Sequence, residues 1–251
     1  MSEKAKPRQA ATVVLLRAAQ PKGFEVFLTR RPDGMPFLGG MYCFPGGTVT
    51  KEDSAPRMIE RCRGRRVEQA RKIAGAQFSP RLALGLWVAA VRELFEEVGV
   101  LLAVDAYGKR VDKGNASRIA EWHRAVLDKS LSFVSLLESE KLYCDLAGLA
   151  YLAHWQTPAQ TPLLFDARFF VAALPHDQTP LATSAEVAHS VWLTPELAMQ
   201  RYARGELPMI FPTFTSLRTL ADFDSLEAVM KEFGRYPRSY SPSARAKPDE
   251  F

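Results

Sequence analysis

The chain has 251 residues, of which 47% are hydrophobic and 24% charged, with a formal net charge of +5 at pH 7. That balance belongs to an ordinary soluble globular protein with a sizeable core and excludes wholesale disorder. No apolar run reaches the roughly 20 residues of a membrane-spanning helix, and the modest basic excess suits a phosphate-bearing small molecule without requiring nucleic acid.

The aliphatic segment Ala11 to Arg17 and the segment Phe24 to Arg30 flank a Pro/Gly turn, which predicts a β-hairpin. A Gly/Pro-rich stretch from Pro32 to Gly47 is too broken for a helix, and a polar, basic stretch from Thr48 to Phe78 carries one helix over about Arg57 to Ile73. Ser79 as N-cap and Pro80 in the first turn open the longest expected helix, which Gly99 ends. Its first part, Leu82 to Val91, is apolar nearly all round and should be buried on most sides. Helices are expected over Asn115 to Asp128 and Phe133 to Lys141, then strands over Leu146 to Trp155, Arg168 to Leu174 and Glu186 to Leu193. Thr194 and Pro195 begin a further helix, and Phe214 to Ala221 and Ser225 to Phe233 supply two more. Residues 10–233 thus read as one α/β domain, followed by a Pro/Ser/Arg-rich tail, 234–251, of disordered composition.

Cys43, Cys62 and Cys144 have no metal-type spacing and read as free packing thiols. The polar start lacks the apolar middle of a secretory signal, and the last residues, Pro248 to Phe251, are not a Ser-Lys-Leu-type address, so a cytoplasmic location is expected.

The chemistry concentrates in AAVRELFEEVGVLL. Glu93, Glu96 and Glu97 stand at i, i+3 and i+4, which puts three carboxylates on one helical face. Taken alone, that pattern is more simply a solvated acidic face with Arg92 as a salt-bridge partner. Here it continues a helix expected to be buried, where clustered carboxylates call for a counter-charge. A hard divalent cation with oxygen ligands, Mg²⁺ or Mn²⁺, supplies one.

Phe44-Pro45-Gly46-Gly47 and Arg92-Glu93-Leu94-Phe95-Glu96-Glu97-Val98-Gly99-Val100 resemble the two ends of the Nudix box. The second half matches the family pattern at every specified position. The resemblance implies a Nudix fold, with a mixed β-sheet sandwiched between helices, a helical insertion (48–78) inside the box and extra C-terminal helices. It also implies a pyrophosphohydrolase acting on acid anhydrides. In it Glu93, Glu96 and Glu97 serve as metal-ligand and water-activating carboxylates, Arg92 orients them, and a carbonyl at Gly46 or Gly47 completes the coordination. Counting back from Arg92, the family's first glutamate falls at Leu84 and its glycine at Phe78, so the box is split by roughly 30 residues; Glu52, Asp53, Glu60 and Glu68 are the candidates to replace the missing acid.

The split box resembles the Nudix branch that contains a peroxisomal coenzyme A diphosphatase, and Phe27-Leu28-Thr29-Arg30-Arg31 followed by Gly40 resembles part of a coenzyme A signature. Pro32 and Pro36 depart from that signature. The resemblance implies cleavage of coenzyme A or acyl-CoA to 3′,5′-ADP and (acyl)phosphopantetheine, with Arg30, Arg31 and Gly46 toward the substrate's phosphates. The alternatives are an ADP-ribose, NADH or nucleotide-sugar pyrophosphatase, and a non-catalytic Nudix-fold binding module. Glu186, before a late strand, resembles a position that often supplies an extra metal ligand or base. His123, His154, His176 and His189 lack ligand spacing and read as structural, Trp155 and Trp192 as core residues or pocket walls. Arg61, Arg63, Arg65 and Arg66 make the insertion a candidate basic flap over the site. The partners expected are a small diphosphate substrate and, for oligomeric state, a homodimer.

Overall fold

The β-branched start of the chain forms the central strand of the computed structural model, which describes residues 6–111, 116–158, 160–161 and 163–234. In chain order its first strands are β1 (Arg8–Ala18), β2 (Phe24–Arg30), β3 (Tyr42–Cys43) and β4 (Gly46–Thr48). A 3₁₀ turn, Glu52–Ser54, leads to α1 (Pro56–Glu60), β5 (Cys62–Arg63), α2 (Val67–Ala74) and the long α3 (Pro80–Val98). Then come β6 (Ala103–Val104), α4 (Ala116–Leu127), α5 (Phe133–Ser139), β7 (Tyr143–Asp145), β8 (Leu149–Gln156) and β9 (Phe165–Ala173). The order closes with β10 (His189–Leu193), α6 (Pro195–Ala203), α7 (Phe211–Leu220) and α8 (Leu226–Gly234).

The expected hairpin is present, with Leu16 opposite Val26, and β1 also runs parallel to β9, with Arg8 opposite Phe165. The mixed sheet has the order β10-β2-β1-β9-β8, with β3 on β2 and β4 on β1. Alternation along β1 splits the core between two faces. Val13 and Leu15 pack with Trp87 of α3, whereas Val14 and Leu16 pack with Leu217 of α7 and Val229 of α8. Each such fully buried large side chain contributes about 1.5–3 kcal/mol.

Ser79 caps α3 by accepting from Leu82 N at 3.3 Å, and the Gly99 N–H closes it on Phe95 O at 2.8 Å. Every residue from Ala83 to Arg92 is buried, because the main sheet covers one side of α3 while α1, α2 and the 3₁₀ turn cover another. The insertion differs from the single helix expected over Arg57 to Ile73. Cys62 is drawn into strand pairing with Cys144 of β7, in a second sheet of order β5-β7-β6. Gly64, at φ 84°, then turns the chain into α2. Glu186 lies before β10, which starts at His189, so the expected strand is shorter at its beginning. The C-terminal residues from 235 onward, expected to be a tail, lie outside the described residues, and Gly234 belongs to α8.

Candidate active site

The last turns of α3 carry Arg92, Glu93, Glu96 and Glu97 against the β4 strand. Glycine at 47 leaves room for the Glu93 carboxylate, since a Cβ would sit 2.6 Å from it and displace it. The Gly46 N–H donates to Glu97 Oε2 at 3.2 Å, so both ends of the split motif meet. Pairing of Gly46 and Gly47 with Thr12 and Ala11 fixes this loop to the central strand.

Arg92 is the buried hub. Its Nε and Nη2 donate to the two oxygens of Asp53 at 2.8 and 3.0 Å, and Nη2 also donates to Thr48 O at 3.0 Å. Nη1 reaches Glu96 Oε2 at 2.7 Å and Glu93 Oε1 at 2.9 Å. Burial works against the Arg92 charge, but Asp53, Glu93 and Glu96 together hold the guanidinium above its ordinary range. Asp53 itself is 2% exposed and also accepts from Thr50 N at 2.7 Å and Thr50 Oγ1 at 3.0 Å. Gly85 admits this turn onto α3, because a Cβ there would lie 3.1 Å from Ser54 Cβ.

Asp53 is thus the acid that backs Arg92, and of Glu52, Asp53, Glu60 and Glu68 it is the one the fold selects. Counting back from Arg92 misses it. Counting forward finds it: five residues separate Gly47 from Asp53, the family's glycine-to-acid spacing, so the extra residues enter after the acid. Leu84, 1% exposed, is a core residue.

The carboxylates are short of positive charge. Burial raises Glu93 to about 7, with Arg92 opposing and Glu96 adding to the rise. Burial raises Glu97 to about 8, helped by the charges of Glu93 and Glu186. Glu96 is raised by burial as well. Their oxygens are turned to Arg92 and to the Gly46 amide, and among the described residues no three acidic, His or Cys side chains already converge at ligand distances. An oxygen-only donor set with unneutralised charge nevertheless has the chemistry of a Mg²⁺ or Mn²⁺ site. Glu93, Glu96, Glu97, Glu186 and the Gly47 carbonyl could hold such an ion.

Glu186 and Arg31 approach the cluster from the strand β2 side. Arg31 Nη2 lies 3.8 Å from Glu186 Oε2, and Arg31 Nε donates to Phe37 O at 3.2 Å. The Arg31 charge reaches Glu97. Arg30 is tied instead to Asp33, with Nη2 2.5 Å from Oδ1. Cys43, next to Thr29, belongs to the same neighbourhood; burial and then the Glu97 charge push its thiol up to about 11, which keeps it protonated and inert.

The insertion's arginines find partners elsewhere than in a flap. Arg61 and Arg63 lie over the Tyr143 ring at 5.2 and 3.7 Å and Arg65 donates to Leu149 O at 3.3 Å, while Arg66 enters only through its main-chain N–H, which donates to Gln69 Oε1 at 3.0 Å at the start of α2. Arg61, Arg63 and Arg65 thus bind the insertion to the second sheet and to β8, while Thr48 and Asp53 are the parts of it that bond Arg92. A second polar cluster was not anticipated from the sequence. Asp166 accepts from Gln9 at 3.0 Å and pairs with His154 and with fully buried Arg168, whose guanidinium lies 4.9 Å over Phe78. Burial opposes ionisation of Asp166, but bonds from His154 and Gln9 and the Arg168 charge hold it at about 2. His154 is accordingly structural. His123 is too, with Nε2 2.9 Å from Glu96 O.

Comparison with known proteins identifies the family. The family described as NUDT19 Nudix domain matches residues 7–220. The acyl-coenzyme A diphosphatase NUDT19 of Gallus gallus is 25% identical over 270 residues, covering 89% of this chain and 70% of the relative. Its Homo sapiens counterpart is 25% identical over 266 residues, covering 89% and 71%. For Xenopus laevis the figures are 22% over 248 residues, 83% and 62%. Among solved structures, a Nudix hydrolase from Alicyclobacillus acidocaldarius superposes with a TM-score of 0.72 at 28% identity, covering 91% of this chain and 97% of that one.

Proposed function

Because the chain belongs to the NUDT19 Nudix domain family and is a Nudix pyrophosphohydrolase, we propose that it hydrolyses the phosphoanhydride of coenzyme A or an acyl-CoA in a metal-dependent reaction. The products are 3′,5′-ADP and (acyl)phosphopantetheine. The observation that carries the proposal is the acidic face itself: three partly or fully buried carboxylates, two of them raised to about 7 and about 8, held by an Arg92–Asp53 pair. The coenzyme A part rests on the names of the relatives, acyl-coenzyme A diphosphatases.

In this account Glu96, Glu97, Glu186 and the Gly47 carbonyl hold Mg²⁺ or Mn²⁺, with Glu93 as a further ligand or as base. The ion, when bound, neutralises phosphoryl oxygens and polarises the attacking water and the leaving group. Glu93, held at 2.9 Å from Arg92 Nη1 at the end of α3, would accept the attacking water's proton. Arg92, fully engaged with Asp53, Thr48, Glu93 and Glu96, keeps the helix end in register and does not contact substrate. Arg31, its side chain only 16% exposed and held by Phe37 O, offers a charged fork to a phosphate, and Gly46 would contribute through its backbone. Arg30 has to leave Asp33 to do the same. Asp53 in the place of the missing box acid removes the one motif defect that favoured a non-catalytic binding module.

The test is a panel of coenzyme A, palmitoyl-CoA, ADP-ribose, NADH and UDP-glucose incubated with Mg²⁺ or Mn²⁺, with products read by mass spectrometry. Release of 3′,5′-ADP from the coenzyme A compounds at a higher kcat/KM than any other turnover is expected. Preference for ADP-ribose, NADH or the nucleotide sugar contradicts the substrate assignment.

A further inference from the structure

The C-terminal carbonyls of a helix have no partner inside it and need one elsewhere. At the end of α3, His123 Nε2 meets Glu96 O, and Leu181 N donates to Val98 O at 2.9 Å. Leu181 belongs to the segment 174–188 that joins β9 to β10. This strap crosses the end of the carboxylate-bearing helix before it delivers Glu186.

One side chain clamps the strap. Gln178, 9% exposed, accepts from Leu101 N at 2.7 Å and donates from Nε2 to Leu101 O at 2.8 Å, mimicking a strand pair two residues beyond the helix cap. Further along, Ser184 and Val187 exchange backbone bonds of 2.9 and 3.2 Å, Val187 is 1% exposed in the α3-side core, and Ala188 N donates to Arg30 O at 2.9 Å. Glu186 therefore sits between two fixed points. Its side chain is half-exposed, faces Arg31 at 3.8 Å, and its charge is felt by both Glu96 and Glu97.

We propose that Gln178 is a positioning residue: by locking the strap to Leu101 it sets the distance between Glu186 and the Glu96–Glu97 pair, and so completes a divalent-cation site. This rests on the proposed role of Glu186 as a ligand. A hydrophobic contact alone would let the strap slide, whereas a two-bond amide clamp fixes both its height and its rotation.

The test is Mn²⁺ affinity, measured by electron paramagnetic resonance on the intact chain without substrate, for wild type, Gln178→Met, Glu186→Gln, the double variant and Glu97→Gln. Gln178→Met removes both bonds at similar volume. Should it fail to fold, Gln178→Glu takes its place, since a carboxylate can accept from Leu101 N but cannot donate to Leu101 O. Each of Gln178→Met and Glu186→Gln should weaken Mn²⁺ binding by roughly tenfold, the scale of lost orienting contacts around a metal. In the Glu186→Gln background the Gln178 change should then add less than about twofold, as coupled sites do. Equal losses in both backgrounds overturn the proposal, as does an unchanged affinity in Gln178→Met. No effect of Glu186→Gln beside a loss in Glu97→Gln also overturns it, but leaves the metal site on α3 standing. Unchanged binding in Glu97→Gln instead removes the site assignment itself.

Discussion

Replacing Asp53 with asparagine keeps the shape of the side chain and its acceptor for Thr50, but leaves Arg92 without its buried counter-charge. The Asp53 side chain is 2% exposed and that of Arg92 10%, so water cannot take over the lost interaction. Removing one partner of a buried ion pair costs about 3–5 kcal/mol. Arg92 keeps Glu96 at 2.7 Å and Glu93 at 2.9 Å, which places the expected loss near the lower end, about 3 kcal/mol. For a chain of this size that is a fall in Tm of roughly 6–12 °C. The rearrangement has a functional cost too: a guanidinium released from Asp53 leans harder on Glu93 and Glu96 and competes with a cation for them. Urea denaturation and CoA hydrolysis measured on the same Asp53→Asn preparation check both halves. A stability loss under about 1 kcal/mol, or full activity at low Mg²⁺, refutes the claim that Asp53 has taken the place of the missing box acid.

Metal-free protein should lose stability as pH rises from about 5 to 9, because Glu93 and Glu97 have folded values near 7 and 8 against 4.5 for the free group. A carboxyl raised on folding favours the fold below its unfolded value and loses that contribution as pH climbs through the folded one. Thermal melts with and without Mg²⁺ should therefore diverge with rising pH, and parallel curves count against the acidic site. Gly47→Ala places a Cβ 2.6 Å from the Glu93 carboxylate and should cut kcat by roughly tenfold to a hundredfold while the far-UV circular dichroism is unchanged. Neutralising Arg61 and Arg63, which cover Tyr143, should lower Tm and leave KM for coenzyme A within about twofold, since lost packing and not lost substrate contact is at stake.

Periodicity and caps made most of the fold legible: Ser79, Pro80 and Gly99 bounded α3, and Thr194 and Pro195 opened α6 where the structure has them. The three glutamates were legible for the same reason, as local spacing on one helix. What stayed hidden depends on contacts far apart in sequence. The break between α1 and α2 arises because Cys62 pairs with Cys144, which no local pattern announces. Asp53 was one of four acids until its burial against Arg92, 39 residues away, singled it out. Arg30 and Arg31 are indistinguishable as letters. Their roles part only because Asp33 holds one while Phe37 O and Glu186 hold the other near Glu97. Arg168 and Asp166 share one face of β9 by simple alternation, but that this charged pair is buried under Phe78, 90 residues back, is not local information.

The most direct measurement is kcat/KM for coenzyme A with Mg²⁺ in Glu97→Gln. Glutamine can keep the bond from the Gly46 N–H and removes a buried charge that burial already disfavours, so the metal-free variant should melt no lower than wild type. Its turnover should nevertheless fall by roughly a hundredfold or more, because the carboxylate proposed to bind the cation is gone. Near-wild-type turnover in this folded variant would contradict the account.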